Sequence, residues 1–198
     1  MKRLKFLSDA KQPKPTWRAL IAARNAAPAF VAGWFALLGA ISPASAGALD
    51  DGQIMGIYIQ VNGFDVETAL LGRALSHSSA VRNLAAHVST DHMGVRQAAY
   101  ALAAKCNVSP VTPSDRYAAA VEHGQAMTKL SALKGAEFDK AYLRHEVAFH
   151  TAAIDAVRQA LEPSAACTDL RAHFQAVLPA FEHHLAETRA LAQEMNAL

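Results

Sequence analysis

Residues 136–162 read AEFDKAYLRHEVAFHTAAIDAVRQALE, and the spacing of their apolar positions decides the fold. Leu143, Val147, His150, Ile154, Val157 and Leu161 recur at intervals of four and three, the seam of an amphipathic helix. Tyr142, Glu146 and Ala153 lie beside that seam. Pro163 stops the pattern, so a helix is expected from Ala136 to Glu162. One seam position holds a histidine where a leucine belongs.

The same substitution recurs in two other segments. Downstream, Leu170, Phe174, Val177, Phe181, His184, Thr188, Leu191 and Met195 trace a heptad-like helix starting near Cys167 or Thr168. Pro179 lies inside it and leaves the carbonyl of Gln175 without its helical partner, so a kink is expected there. Upstream, Val81, Leu84, Val88, His92, Val95, Ala99 and Leu102 trace a helix capped by Ser78 or Ser79 and running to about Asn107. A shorter helix is expected from Asp115 to Lys134, with Gly135 as its C′ residue. The first helix, Gly52 to Ser76, is the least regular. Its Ile57, Ile59 and Val61 also alternate, and Gly56 and Gly63 each cost about 1 kcal/mol in a helix.

These lengths predict an all-α, up-down four-helix bundle of ferritin-like architecture, with a helical crossover between its second and fourth helices. The crossover helix, at ~1.5 Å per residue, spans the bundle. Cys106 and Cys167 then lie at one end, and a disulfide between them could add roughly 4 kcal/mol.

The first 46 residues read as a secretory signal peptide. Seven basic residues (Lys2, Arg3, Lys5, Lys11, Lys14, Arg18 and Arg24) precede an apolar run from Ala26 to Ile41. Pro43 and the Ala44-Ser45-Ala46 site follow, giving cleavage after Ala46 and a bundle domain over 47–198, with an uncleaved N-terminal anchor as the alternative. Removing seven basic residues and Asp9 from the 19 basic and 17 acidic residues leaves 12 and 16, a net charge of −4 over 152 residues. The basic character of the whole chain therefore resides in its leader and gives no reason to expect nucleic acid as a partner. No second apolar run reaches the ~20 residues of a membrane span. A periplasmic or secreted location is expected, where a disulfide persists.

Heights along the helices bring the polar seam residues together. At ~1.5 Å per residue, Glu67, His92, Glu146, His150 and His184 all fall roughly 18–27 Å above the cysteine end. Imidazole and carboxylate from facing helices suit a transition metal: Fe, Mn, Zn or Cu. Glu146 and His150 are four apart and can share one ion. Asp91 and Tyr142 are expected just outside the ligands, as hydrogen-bond partners of a histidine and of Glu146. The other six histidines, His77, His87, His123, His145, His173 and His183, fall on outer positions and are expected in solvent.

Two readings follow. In one, the five residues bind a metal, for storage, sensing or redox protection in the envelope. In the other, they form a hydrogen-bonded polar core in a non-catalytic structural or interaction bundle. The chain has no Glu-x-x-His, the pair that carboxylate di-iron bundles place on two helices. It also lacks a nucleophile elbow, a glycine-rich phosphate loop and a CxxC, so no reaction is assigned.

Several segments carry a family resemblance. They are Glu67, Thr90-Asp91-His92, Phe138-Asp139-Lys140-Ala141-Tyr142-Leu143, the Glu146–His150 stretch EVAFH, Leu178-Pro179 and His184-Leu185. In these the chain resembles the bacterial family called domain of unknown function 4142, often labelled "predicted outer membrane protein". The resemblance covers nearly all of residues 47–198 and implies a ferritin-like fold. It implies no particular activity. The ten-residue alternating strands of a membrane barrel do not occur in this sequence.

Overall fold

The computed structural model describes residues 49–198; the expected signal peptide and its cleavage site lie outside the described residues. Among the described residues the chain is all-α, with no strand. Helix α1 spans Asp51–Leu75, α2 Ser79–Lys105, α3 Arg116–Ser131 and α4 Gly135–Ala156. A π-helical turn, Val157–Leu161, and a last turn, Glu162–Ser164, continue α4. Helix α5 spans Thr168–Glu194. The four long helices touch in a ring: α1 on α2, α2 on α5, α5 on α4 and α4 on α1. Helix α3 packs on the α1–α4 flank.

Local chemistry sets these boundaries. The Asp50 side chain accepts from the Gln53 amide at 2.7 Å, and the Gln53 side chain accepts from the Asp50 amide at 3.1 Å. This reciprocal pair satisfies two amides that the helix start would otherwise leave free. At the start of α2 the Ser78 hydroxyl accepts from the Val81 amide at 3.4 Å, a one-way cap. Gly135 does not terminate α3 as the sequence suggests. α3 ends at Ser131, and Gly135, at φ +54°, opens α4 instead. A left-handed glycine serves a sharp turn on either side of it, and here the connection between helices is only three residues long.

Helix α1 is the core of the molecule. Ile54, Met55, Ile57, Tyr58, Ile59, Phe64, Val66 and Ala69 are all buried, because α2, α3 and α4 cover it on three sides. That encirclement explains its weak amphipathic pattern. It also explains its glycines. A Cβ on Gly56 would lie 2.2 Å from the Val111 carbonyl oxygen, where the α2–α3 loop crosses the helix. A Cβ on Gly72 would lie 2.6 Å from the ring of Tyr142 on α4.

The end of the bundle near the α4–α5 loop is clamped covalently. Cys106 and Cys167 form a disulfide, with Cα atoms 6.0 Å apart. Beside it, the Asp51 carboxylate accepts from the amides of Ala166 and Cys167, both at 2.8 Å. At the opposite end of α1, buried Ser76 donates to Asp139 at 2.5 Å and holds the α1–α2 turn against α4.

Three histidines depart from their expected exposure, two of them fully. His123 and His145 are buried, 3% and 2% exposed, because α3 lies flat on α1 and α4 instead of merely spanning the bundle. His123 stacks on Phe64, with ring centres 4.2 Å apart. His173 is half-buried and hydrogen-bonded to the Tyr58 hydroxyl at 3.1 Å. His77, His87 and His183 are exposed.

Candidate metal centre

His92 on α2, His150 on α4 and His184 on α5 meet in the interior. Their ring centres form a near-equilateral triangle: 5.6 Å between His92 and His150, 5.4 Å between His92 and His184, and 5.7 Å between His150 and His184. Phe181 stacks on His92 at 5.0 Å and fixes its plane. Asp65 on α1 enters the same space: its Oδ2 lies 3.1 Å from His92 Nε2 and 3.4 Å from His150 Nε2. Glu146 sits one turn before His150 and is also buried. Ligand atoms of His92, His150 and His184 lie within 4.8 Å of one another, as do those of Asp65, Glu146 and His150.

Hydrogen bonds outside the cluster decide which nitrogens carry protons. The Tyr58 carbonyl can only accept, so the Asn62 amide group donates to it at 2.8 Å. Asn62 Oδ1 therefore faces His92 Nδ1, at 2.8 Å, and Nδ1 must donate. His150 Nδ1 likewise faces the Glu146 carbonyl oxygen at 3.1 Å and donates to it. His184 Nε2 donates to Asp91 Oδ2 at 3.0 Å. Each imidazole thus carries a proton on its outward nitrogen. Burial first, and then neighbouring histidines, lower the pKa of His92 and His150 to about 4, so neither ring takes a second proton at neutral pH.

The consequence is three buried imidazole lone pairs that face two buried carboxyl groups. His92 Nε2, His150 Nε2 and His184 Nδ1 are buried without a partner at hydrogen-bonding geometry, beside the Asp65 and Glu146 carboxyls, which pair with each other. An unpaired buried polar atom costs about 1–3 kcal/mol. Three such nitrogens together cost roughly 3–9 kcal/mol by that figure, comparable with the net stability of a typical domain, about 5–15 kcal/mol. Burial, and then the Asp65 charge, hold the Glu146 carboxyl well above the usual carboxylate range. Asp65 is also pushed up by burial, against the pull of His92 and His184.

The donor set fits a transition metal. Rings that share one ion through nitrogens at ~2.1 Å have centres about 5–6 Å apart, the size of this triangle. Three imidazole nitrogens and carboxylate oxygens suit Fe, Mn, Zn or Cu, whereas Ca and Mg prefer all-oxygen shells. Each ring also has its outward N–H tied to an oxygen, the arrangement that orients metal-ligating histidines.

Not every residue expected from the sequence reaches this cluster. Glu67 is 62% exposed in its side chain and accepts from His123 Nε2 at 2.9 Å, outside the cluster. Two residues along a helix turn the side chain by about 200°, so Asp65 points inward where Glu67 points out. Asp91 sits at the surface and reaches the cluster only through His184. Tyr142 is fully buried with its hydroxyl unpaired, and burial and then the charges of Glu146 and Asp65 raise its pKa well above its ordinary value. Asp65 and Asn62 were not among the sequence candidates. Their signal is a polar pair three apart in the most apolar helix, within Asn62-Gly63-Phe64-Asp65-Val66.

No curated protein and no solved structure matches the chain significantly. The family model described as "Domain of unknown function (DUF4142)" matches residues 38–191, a stretch that includes every residue of the cluster. With most of its length matched by that model, the chain belongs to this family.

Proposed function

We propose that this is a secreted metal-binding protein of the cell envelope, with a ferritin-like up-down bundle holding one transition-metal site. Asp65, His92, Glu146, His150 and His184 are the ligand candidates, and Asn62, Asp91 and the Glu146 carbonyl orient the rings. One observation carries the reading: three inward imidazole lone pairs and the Asp65 carboxyl meet where a hydrogen-bonded core would need donors. A cation supplies what the cluster lacks. The ring of α1, α2, α5 and α4, with α3 as the crossover, supports the ferritin-like topology. The Cys106–Cys167 disulfide supports an extracytoplasmic location, as does the reading of residues 1–46 as a signal peptide cleaved after Ala46. No described helix is long and apolar enough to cross a membrane.

The rival is a structural or interaction bundle with the same residues as a polar core. The Glu146 carboxyl, held protonated by its surroundings, supplies one proton to such a core. The two carboxyls hold at most two protons between them against three imidazole lone pairs, so the metal reading is favoured.

The test is metal content per chain, measured on untagged protein and on a His150→Ala/His184→Ala double variant. Near-stoichiometric Fe, Mn, Zn or Cu in the first and its loss in the second are expected. Metal at 100 times its Kd should also stabilise the fold by about 2.7 kcal/mol. Equal trace metal in both proteins, with no thermal shift on adding any of the four ions, contradicts the reading.

A further inference from the structure

A groove of about 370 Å³ lies outside the histidine cluster, between α1, α2 and the loop that joins α2 to α3. Phe64, Glu67, Arg96, Tyr100 and Thr112 line it, so its wall is both aromatic and polar. The loop is pinned to α1. The Val111 amide donates to the Gly52 carbonyl at 2.9 Å, and Val111 crosses the helix at Gly56. The groove is therefore preformed, and its volume falls in the range of small-molecule sites, roughly 300–1,000 Å³.

Arg96 lies down across α1 in this groove. Its guanidinium carbon and Nε are 3.7 Å, and its Nη2 3.9 Å, from where a Cβ on Gly63 would sit. Nε is buried there without a partner. Nη1 and Nη2 keep exposed surface, and among the described residues neither has a hydrogen bond or an ion pair. The open edge of the guanidinium is thus its Nη pair, a fork that matches a planar carboxylate. The acid of the groove does not quench this charge. His123 Nε2, on α3, holds the Glu67 carboxylate at 2.9 Å, and Glu67 makes no ion pair with Arg96.

Tyr100, one turn along α2 from Arg96, is 54% exposed and lines the same groove. A planar apolar body laid on that ring leaves water while its carboxylate meets the fork. A neutral body leaves the fork unused, and a second negative charge meets Glu67.

We propose that this groove binds a small aromatic monocarboxylate, with its carboxylate on the Nη edge of Arg96 and its ring against Tyr100. The site is separate from the histidine cluster and does not rest on a metal there.

The test is an NMR titration of the full-length processed protein with benzoate, read at the Arg96 Nε–H and at the Tyr100 ring. Both signals should shift saturably with one Kd. Benzamide, the neutral isostere, should bind about 10–100-fold more weakly, the worth of a charge-assisted hydrogen bond. Isophthalate, a dianion, should also bind more weakly than benzoate. Arg96→Met should weaken benzoate as much as the loss of the ligand's charge does, and Arg96→Lys, a cation without the fork, should recover part of it. Tyr100→Ala should weaken it too. Neither residue belongs to the core, and an unchanged backbone spectrum checks that each variant folds. Benzoate that shifts neither signal up to its solubility limit overturns the site. Equal affinity for benzoate and benzamide does the same, as does equal benzoate affinity in the unmodified protein and Arg96→Met. Isophthalate bound more tightly than benzoate overturns the choice of a monoanion. Each of these failures leaves the metal reading untouched.

Discussion

Asn62 Oδ1 accepts from His92 Nδ1 at 2.8 Å, and this one bond fixes what the opposite nitrogen can do. It places the ring's lone pair on Nε2, 3.1 Å from Asp65 Oδ2 and without a hydrogen bond to it. Asn62 is itself locked by the Tyr58 carbonyl one turn earlier. Backbone geometry in α1 therefore sets the chemistry of a side chain on α2.

Removing that lock should loosen the site without emptying it. Asn62→Leu leaves all five ligand candidates in place but frees His92 to change tautomer. Metal affinity is expected to fall about 10–100-fold, the usual effect of losing an outer hydrogen bond to a ligand histidine. Competition with a chromophoric chelator measures it. Unchanged affinity would show that His92 is not a ligand oriented by Asn62.

Asp65→Asn separates metal binding from stability. In metal-free protein at neutral pH, the buried carboxylate is poorly compensated, and an amide of the same shape removes its charge. The metal-free variant should be about 1–3 kcal/mol more stable in urea, by the typical penalty of an unsatisfied buried group, and should lose metal. A polar core built around Asp65 demands the reverse: destabilisation on substitution and indifference to metal.

Acid should destabilise the metal-free fold through its buried histidines. His145 is lowered to about 3, by burial first and then by His123 and His150, against an ordinary value of 6.5. Below pH 6.5 the unfolded chain takes up a proton there and the folded chain does not. Stability is therefore full above that pH and is lost as pH falls from 6.5 toward 3. Urea midpoints measured in EDTA at pH 7.5 and 4.5 should fall less in His145→Leu than in the unmodified protein. An equal fall in both would remove His145 as a source of acid sensitivity.

The sequence carries the polar seam of the site better than its inner wall. His92, His150 and His184 interrupt regular apolar spacings, and Glu146 follows from its four-residue offset to His150. Cys106 and Cys167 follow from helix lengths. Asp65 is hidden because α1 is covered on three sides, so its periodicity does not say which polar residue points inward. Height alone cannot separate Asp65 from Glu67, only two residues apart; azimuth does, and azimuth needs the partners. His123 and His145 are obscured for a related reason. Their burial depends on α3 lying flat over α1 and α4, a tertiary choice with no signature in the spacing of α3.

The protonation pattern can be read directly from a long-range 1H–15N spectrum of the imidazoles in metal-free protein at pH 7. His92 and His150 are expected as neutral Nδ1–H tautomers with unprotonated Nε2, and His184 as the opposite tautomer. One equivalent of zinc should then shift the three unprotonated nitrogens together. His92 and His150 found as Nε2–H tautomers, bonded to Asp65 and unmoved by zinc, would contradict a metal centre at this site.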